Sequence, residues 1–368
     1  MRPVRPRIGF VMEQTLGHVA YAIGLRDALA QRDDFEARWI DVPYQPEREP
    51  LLPVVGKNWT LRGSLRAARA VRAELKREPL DALFVHTQTI ALFLAPFMRR
   101  VPTLFSTDAT PLNYDTLASH YGDRVHAAPV ERAKLAAHRA IVRRARRFTA
   151  WSEWAKASLV SDYGADASRV TVIHPGTVLS RFPDPSGRGP RREGPLRVLF
   201  VGGDFKRKGG DVLLEARRRM KNAAELHLVT GAELPVEPGV HVYRGLKPLS
   251  PELLRLYADA DVFALPTRAD CLAVVLGEAM AAALPIVTTA VGAHAEAVEN
   301  ERSGFIVPMD DADTVAERLD RLASDPELAR RLGERARAVG EERFDMGKNA
   351  NRIADLLLEM TERGWRGA

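Results

Sequence analysis

Two hydrophobic rhythms take turns along this chain. Short apolar runs at Arg7–Met12, Glu36–Val42, Asp81–His86, Val101–Ser106, Phe148–Ser152 and from Val170 read as strands. Between them, spacings of three and four predict helices at Val19–Arg32, Leu61–Arg77, Arg132–Arg147 and Glu153–Tyr163. Pro43–Thr60 and Arg181–Pro195 are rich in proline and read as a surface loop and an interdomain linker. The alternation then resumes, with strands at Leu196–Val201, Glu225–Thr230, His241–Tyr243, Asp261–Leu265, Ile286–Thr289 and Gly304–Pro308. Helices are expected at Asp211–Lys221, Pro251–Ala258, from about Cys271, and over Asp311–Ser324, Glu327–Arg343 and Phe344–Arg363. Strands alternating with helices predict parallel sheets covered on both faces. The fold expected is α/β, with two doubly wound domains.

Length agrees: 368 residues suit about two domains. At 46% hydrophobic and 28% charged the composition is that of a globular protein. No run of 18 or more apolar residues suggests a membrane span, and the first residues lack an apolar signal region. The one cysteine, Cys271, suits a reducing cytoplasm and reads as a small packing residue. Charge is uneven. Residues 1–178 hold 26 Lys and Arg against 18 Asp and Glu, and the remainder 28 against 30. Basic stripes on the helices at 61–77 and 132–147 point to an anionic partner, a membrane surface at the inner face being the expected one. Ordinary solvated helices are the alternative.

Candidate chemistry gathers at the carboxyl ends of five strands. Pro266–Asp270 forms a loop at a strand's carboxyl end, where open α/β sheets bind ligands. Asp270 stands at the mouth of the following helix and Glu278 two turns in, unless they are merely a cap and an exposed helix residue. Gly202-Gly-Asp-Phe-Lys-Arg-Lys-Gly-Gly210 joins glycines to cations, a pattern suited to a diphosphate or to plain solvation. It lacks the P-loop pattern. In the front half, His86 ends a strand, as a site histidine or as an edge histidine. Gly17 and His18 lie in the first strand–helix turn, and Asp108 and Thr110 in another turn. These turns suit ligand contacts or simple capping equally. His294 reads as loop filler. No metal-binding cluster is apparent.

The run Asp270–Glu278, followed by Ala-Met-Ala and Leu284-Pro285, resembles the retaining glycosyltransferases of family 4, which have the GT-B fold. Supporting matches are Lys208-Gly209, the Trp151-Ser152 helix start and His174-Pro175-Gly176. Departures are Asp270 for Glu, Ala283 for Gly, Gly203 for Arg and Val178 for Asp. The resemblance implies two Rossmann-like domains facing across a cleft: 1–180 on the acceptor side, 181–345 for a nucleotide-sugar donor, and a helix at 346–368 crossing back. It implies transfer of a sugar from a nucleotide-diphosphate sugar to an acceptor hydroxyl with retained configuration, in glycan, glycolipid or cell-envelope polysaccharide synthesis. Neither a cofactor nor a metal is expected, nor a nucleic-acid partner. By the same resemblance His86 and Asp270 are catalytic. Gly17, Gly202, Gly203, Arg207, Lys208, Cys271, Leu272, Ala273 and Glu278 hold donor, with Glu278 on the ribose. His18 and Asp108 contact acceptor. A nucleotide-sugar epimerase of the same fold and a non-catalytic binding protein are the competing readings. A two-carboxylate hydrolase leaves the basic glycine loop unexplained.

Overall fold

A computed structural model describes residues 5–15, 17–44, 58–121, 128–182 and 193–362. Most of the expected Pro43–Thr60 loop and Arg181–Pro195 linker lies outside the described residues. The chain divides into two compact units, each built on a six-stranded parallel sheet.

The first unit holds β1 (Arg7–Gln14), β2 (Glu36–Pro43), β3 (Ala82–His86), β4 (Thr103–Thr107), β5 (Arg147–Ala150) and β6 (Val170–Val172). Their order in the sheet is β2-β1-β3-β4-β5-β6. The helices are α1 (Gly17–Leu29), α2 (Trp59–Arg77), α3 (Ala95–Met98) and α4 (Pro111–Asp115). After α5 (Ala118–Tyr121), which groups with the second unit, come α6 (Ala128–Val142) and α7 (Glu153–Ser161). β3 and β4 are buried along their whole length, as strands covered on both faces must be. The core under one face joins Val11, Leu83, Val85, Phe105 and Phe148 to Ala67 and Val71 of α2.

The second basic helix is shorter than its periodicity suggests. α6 ends at Val142, and the Arg146 amide donates to the Thr103 carbonyl as the chain enters the sheet. Arg143, Arg144 and Arg146 therefore stand in a turn. Several cations of the expected stripes serve internal bonds. Arg66 donates to the carbonyls of Pro43 and Tyr44, Arg139 to that of Asp162, and Lys134 pairs with Asp115 at 2.9 Å.

The second unit holds β7 (Leu196–Val201), β8 (Ala224–Val229), β9 (Val240–Tyr243), β10 (Val262–Leu265), β11 (Ile286–Thr289) and β12 (Gly304–Val307), in the order β12-β11-β10-β7-β8-β9. Its helices are α8 (Gly210–Arg219), α9 (Pro251–Asp259), α10 (Val274–Ala281), α11 (His294–Ala297), α12 (Ala312–Ser324) and α13 (Pro326–Arg343). The expected helix from about Cys271 starts three residues later, because Cys271–Ala273 stay in the loop. At its end Ala283 takes φ +52°, the left-handed geometry that glycine adopts without cost after a helix.

The chain leaves the first unit after His174 and returns to it at Gly347, so α14 (Met346–Glu362) lies almost wholly in the first unit. There Arg32 bonds Asp355, Arg147 pairs with Glu359 at 3.0 Å, and Asn349 donates to the His174 carbonyl. The passage precedes the expected boundary at 180. Thr177 is already bonded to the second unit, accepting from Met346 N and donating to Phe344 O.

Candidate functional site

In a doubly wound sheet, the loops after two adjacent strands diverge where the strand order reverses, leaving a crevice at their carboxyl ends. In the second unit that point lies between β7 and β10. The loops after these strands are Gly202–Gly209 and Pro266–Ala273, which carry the candidate donor residues apart from Gly17 of α1 and Glu278 of α10. The two loops are fastened together. Gly209, at φ +76°, presses against the Pro266 carbonyl so closely that a Cβ has no room. The Arg268 amide donates to the Arg207 carbonyl at 2.8 Å.

Across this junction Lys208 Nζ donates to the Asp270 carboxylate. Both side chains are mostly buried, 13% and 14% exposed. Burial, and next the charge of Arg207, pull the Lys208 ammonium down to about 7. Arg207 itself turns inward. Its guanidinium donates to Asp204 at 3.1 Å and to the Ala269 carbonyl at 2.7 Å, so it braces the loop. Arg268 adds a second brace, bidentate to Asp211 and bonded to Asp310. Gly202 is buried, whereas a side chain at Gly203 would meet open space.

The N-cap residue of α10, Ala273, makes no side-chain hydrogen bond to the first amides of the helix, and helix starts of this kind attract anions. Behind Ala273 lies His294, fully buried. Its Nε2 accepts from the Ala273 amide at 3.3 Å, and its Nδ1 lies 3.0 Å from Thr288 Oγ1, which donates to Leu265 O. That arrangement requires a neutral ring protonated on Nδ1. Burial, then the Lys208 charge, hold its pKa down to about 3. The expectation of loop filler is corrected: with no polar alternative at a buried spot, the imidazole sets the backbone before α10. Gly292, at φ +56°, lies against the Asp270 and Cys271 carbonyls and lets this loop approach. Cys271 and Leu272 are buried. Glu278 is 5% exposed and accepts from Tyr257 Oη at 2.6 Å. Burial raises the Glu278 pKa above the ordinary carboxyl value.

In the first unit the strand order reverses between β1 and β3. His86, the last residue of β3, pairs in register with Met12 of β1 and Ser106 of β4. Its Nδ1 is 3.1 Å from Ser106 Oγ, and its Nε2 is 3.0 Å from His18 Nδ1. His18 Nε2 faces Asp108 Oδ2 at 3.7 Å. Thus His18 of α1, His86 at the end of β3 and Asp108 in the loop after β4 form one line. Trp151 stacks on His86 with ring centroids 5.1 Å apart, and Tyr21 lies against both. Burial, then the His18 charge, hold the His86 pKa well below the ordinary value, while burial raises that of Asp108. Beside the line, Glu13 is 3% exposed and accepts from Thr15, from Trp59 Nε1 at 3.0 Å and from Thr87. Gly17 opens α1.

Two family models match this chain: "Glycosyltransferase Family 4" over residues 17–181 and "Glycosyl transferases group 1" over 195–325. The chain is a member of glycosyltransferase family 4. A D-inositol 3-phosphate glycosyltransferase from Streptomyces bingchenggensis is 31% identical over 265 residues, 65% of this chain. The match covers 58% of that relative's length. Among solved structures, sucrose-phosphate synthase from Thermosynechococcus elongatus is similar with TM-score 0.78 at 19% identity, over 98% of this chain and all of that one. HepE from Anabaena, in complex with UDP and glucose, follows with TM-score 0.71 at 17% identity, over 96% and 100%. The two Rossmann-like units are those of the GT-B fold.

The family 4 chain thus brings Lys208 and Asp270 together in one unit, and His18, His86 and Asp108 in the other. Glu278 and Arg207 engage protein groups. Along the sequence Glu13, Ser106 and Tyr257 were passed over as site residues, Trp151 served only as a family match, and His294 read as loop filler. Glu13 and Ser106 carried a signal, since each stands at a strand's carboxyl end.

Proposed function

We propose that this protein is a retaining glycosyltransferase that uses a nucleotide-diphosphate sugar. The observation that carries this reading is the Lys208–Asp270 pair at the β7/β10 switch point, beside the uncapped start of α10. An arriving diphosphate offers Lys208 a stronger anionic partner and the α10 amides a second set of bonds. Asp270 is then released to accept from hydroxyls of the sugar. As the bond from the anomeric carbon to the phosphate oxygen breaks, charge grows on the diphosphate, where Lys208 and the amides stabilise it. The new bond to the acceptor oxygen forms on the same face, and the acceptor proton passes to the departing phosphate oxygen. Glu278 takes the ribose hydroxyls by exchanging its bond from Tyr257. His18, His86 and Asp108 serve the acceptor side.

HepE, crystallised with UDP and glucose, makes UDP-sugars the first donors to try, and the inositol-phosphate relatives make that phosphorylated polyol the first acceptor. The test is a thermal-shift screen against UDP-, GDP- and ADP-sugars, since a ligand of the native state raises apparent stability. Product anomers are then assigned by NMR. One nucleotide class should raise the melting temperature and yield a product of retained configuration. No response to any of them favours a binding protein. Turnover without acceptor favours an epimerase.

A further inference from the structure

We propose that Glu225, His227 and His241 form a site for a divalent transition-metal ion that clips the edge strand β9 to β8. Glu225 and His227, two apart on β8, share a face of the sheet, and His241 of β9 is in register with His227. The two imidazoles stack with centroids 4.9 Å apart. One potential ligand atom from each residue lies within 4.8 Å of the others.

His227 fixes the chemistry. Its Nε2 is buried, lacks any hydrogen-bond partner, and stands 3.9 Å from Glu225 Oε2. Its Nδ1 lies 3.0 Å from the Tyr243 hydroxyl. With Nδ1–H donating to that oxygen, the Nε2 lone pair is left for a metal, the outer bond that orients ligating imidazoles generally. A buried ring nitrogen without a partner is destabilising, and a metal bond removes that cost. Zinc needs ligands at about 2.0–2.2 Å, so the site must contract. His241 is exposed and free to make that movement by side-chain rotation. Asp259 adds to the negative potential at His227, and Arg197 opposes it. Two imidazoles and one carboxylate suit zinc and its neighbours and not magnesium. β9 has one neighbour in the sheet, so a cross-strand clip stabilises the unit where backbone bonding is least. The site is separate from the loops after β7 and β10, and needs no reading of the transfer reaction.

The experiment uses the full chain without a polyhistidine tag, stripped with chelator. Zinc binding is measured by equilibrium dialysis, and melting temperature is followed with zinc or magnesium. The wild type should bind a zinc ion that raises its melting temperature, and magnesium should not. His241→Ala, on an exposed side chain, should melt as the wild type does in chelator. It should bind this zinc about tenfold or more weakly. Glu225→Gln should weaken binding in the same direction. Equal zinc affinity in wild type and both variants, or no zinc-dependent rise in the wild type, overturns the site.

Discussion

His18 Nδ1 stands 3.0 Å from His86 Nε2, although 68 residues separate them. A nitrogen–nitrogen contact of that length needs one proton between the rings. Since burial keeps His86 neutral, its environment depends on His18. His18→Ala leaves a buried imidazole nitrogen unpaired, at about 1–3 kcal/mol. We expect kcat to fall about tenfold or more, with donor affinity little changed because every candidate donor residue but Gly17 lies in the other unit. Steady-state kinetics beside calorimetric titration of the nucleotide separates the two. Equal turnover in the folded variant removes the histidine pair from the reaction.

With Lys208 on the donor diphosphate as proposed, donor binding should depend on pH. The Lys208 ammonium is held near pH 7 by burial, so at neutral pH part of the population is deprotonated. A diphosphate favours the charged form, so binding takes up a proton. Affinity should weaken as pH rises through 7 to 9. Calorimetry in buffers of different ionisation enthalpy reads the proton directly. Lys208→Ala should abolish the uptake and weaken binding.

Glu278 and Asp270 should fail differently. Ribose bonds are the same before and after transfer, so Glu278→Gln should chiefly raise KM for donor. Asp270, bonded to Lys208, is the proposed contact of the moving sugar, so Asp270→Asn should lower kcat. Bonds to a charged carboxylate contribute roughly 1.5–3 kcal/mol, which sets each effect at about tenfold or more. If both folded variants keep wild-type kcat/KM, the central pair is not the site.

Buried histidines should make the fold acid-sensitive above the carboxylate range. In the unfolded chain His138 and His294 take up protons near pH 6.5, whereas the folded protein resists until about 4 and about 3. The unfolded state therefore binds more protons below 6.5, and the stability present above that pH is lost as pH falls. The slope approaches about 1.4 kcal/mol per pH unit for each histidine. The raised carboxyls Glu278 and Asp108 act with the opposite sign, so the comparison is between wild type and His294→Asn. Urea titrations at pH 5 and 7 should show a smaller difference in the variant.

Ala283→Gly should stabilise the protein. An alanine in the left-handed region costs roughly 1–2 kcal/mol, and the extra freedom of glycine when unfolded returns part of it. The expected gain is about 0.5–1 kcal/mol, seen as a higher urea midpoint at unchanged slope.

Much of this was legible along the chain. The runs of apolar residues marked the strands of both sheets, because strands covered on both faces are built mainly from apolar side chains, with the polar ones such as Ser106, His86 and Thr289 gathered at their carboxyl ends. They also marked Lys208, Asp270 and His86 as residues at the carboxyl ends of strands, where loops gather. Helix ends were less legible. α6 stops at Val142 because Arg146 bonds to Thr103 of another strand, and nothing local in that arginine-rich run announces it. Ala283, by contrast, stood out as a missing glycine, and its φ gives the reason.

The tertiary structure alone decided partnership. Arg207 and Lys208 are adjacent cations and look equivalent as letters. Folding gives one Asp204 and the Ala269 carbonyl, and gives the other Asp270. His294 looked like loop filler and became the buried support of the Ala273 amide. The physical reason is common to both. Hydrophobic period is a property of neighbours in sequence, and the chain must carry it locally to fold. The partner of a polar group is set by which strands lie side by side at a switch point. That order follows from how the whole sheet is wound and leaves no mark on the residues themselves.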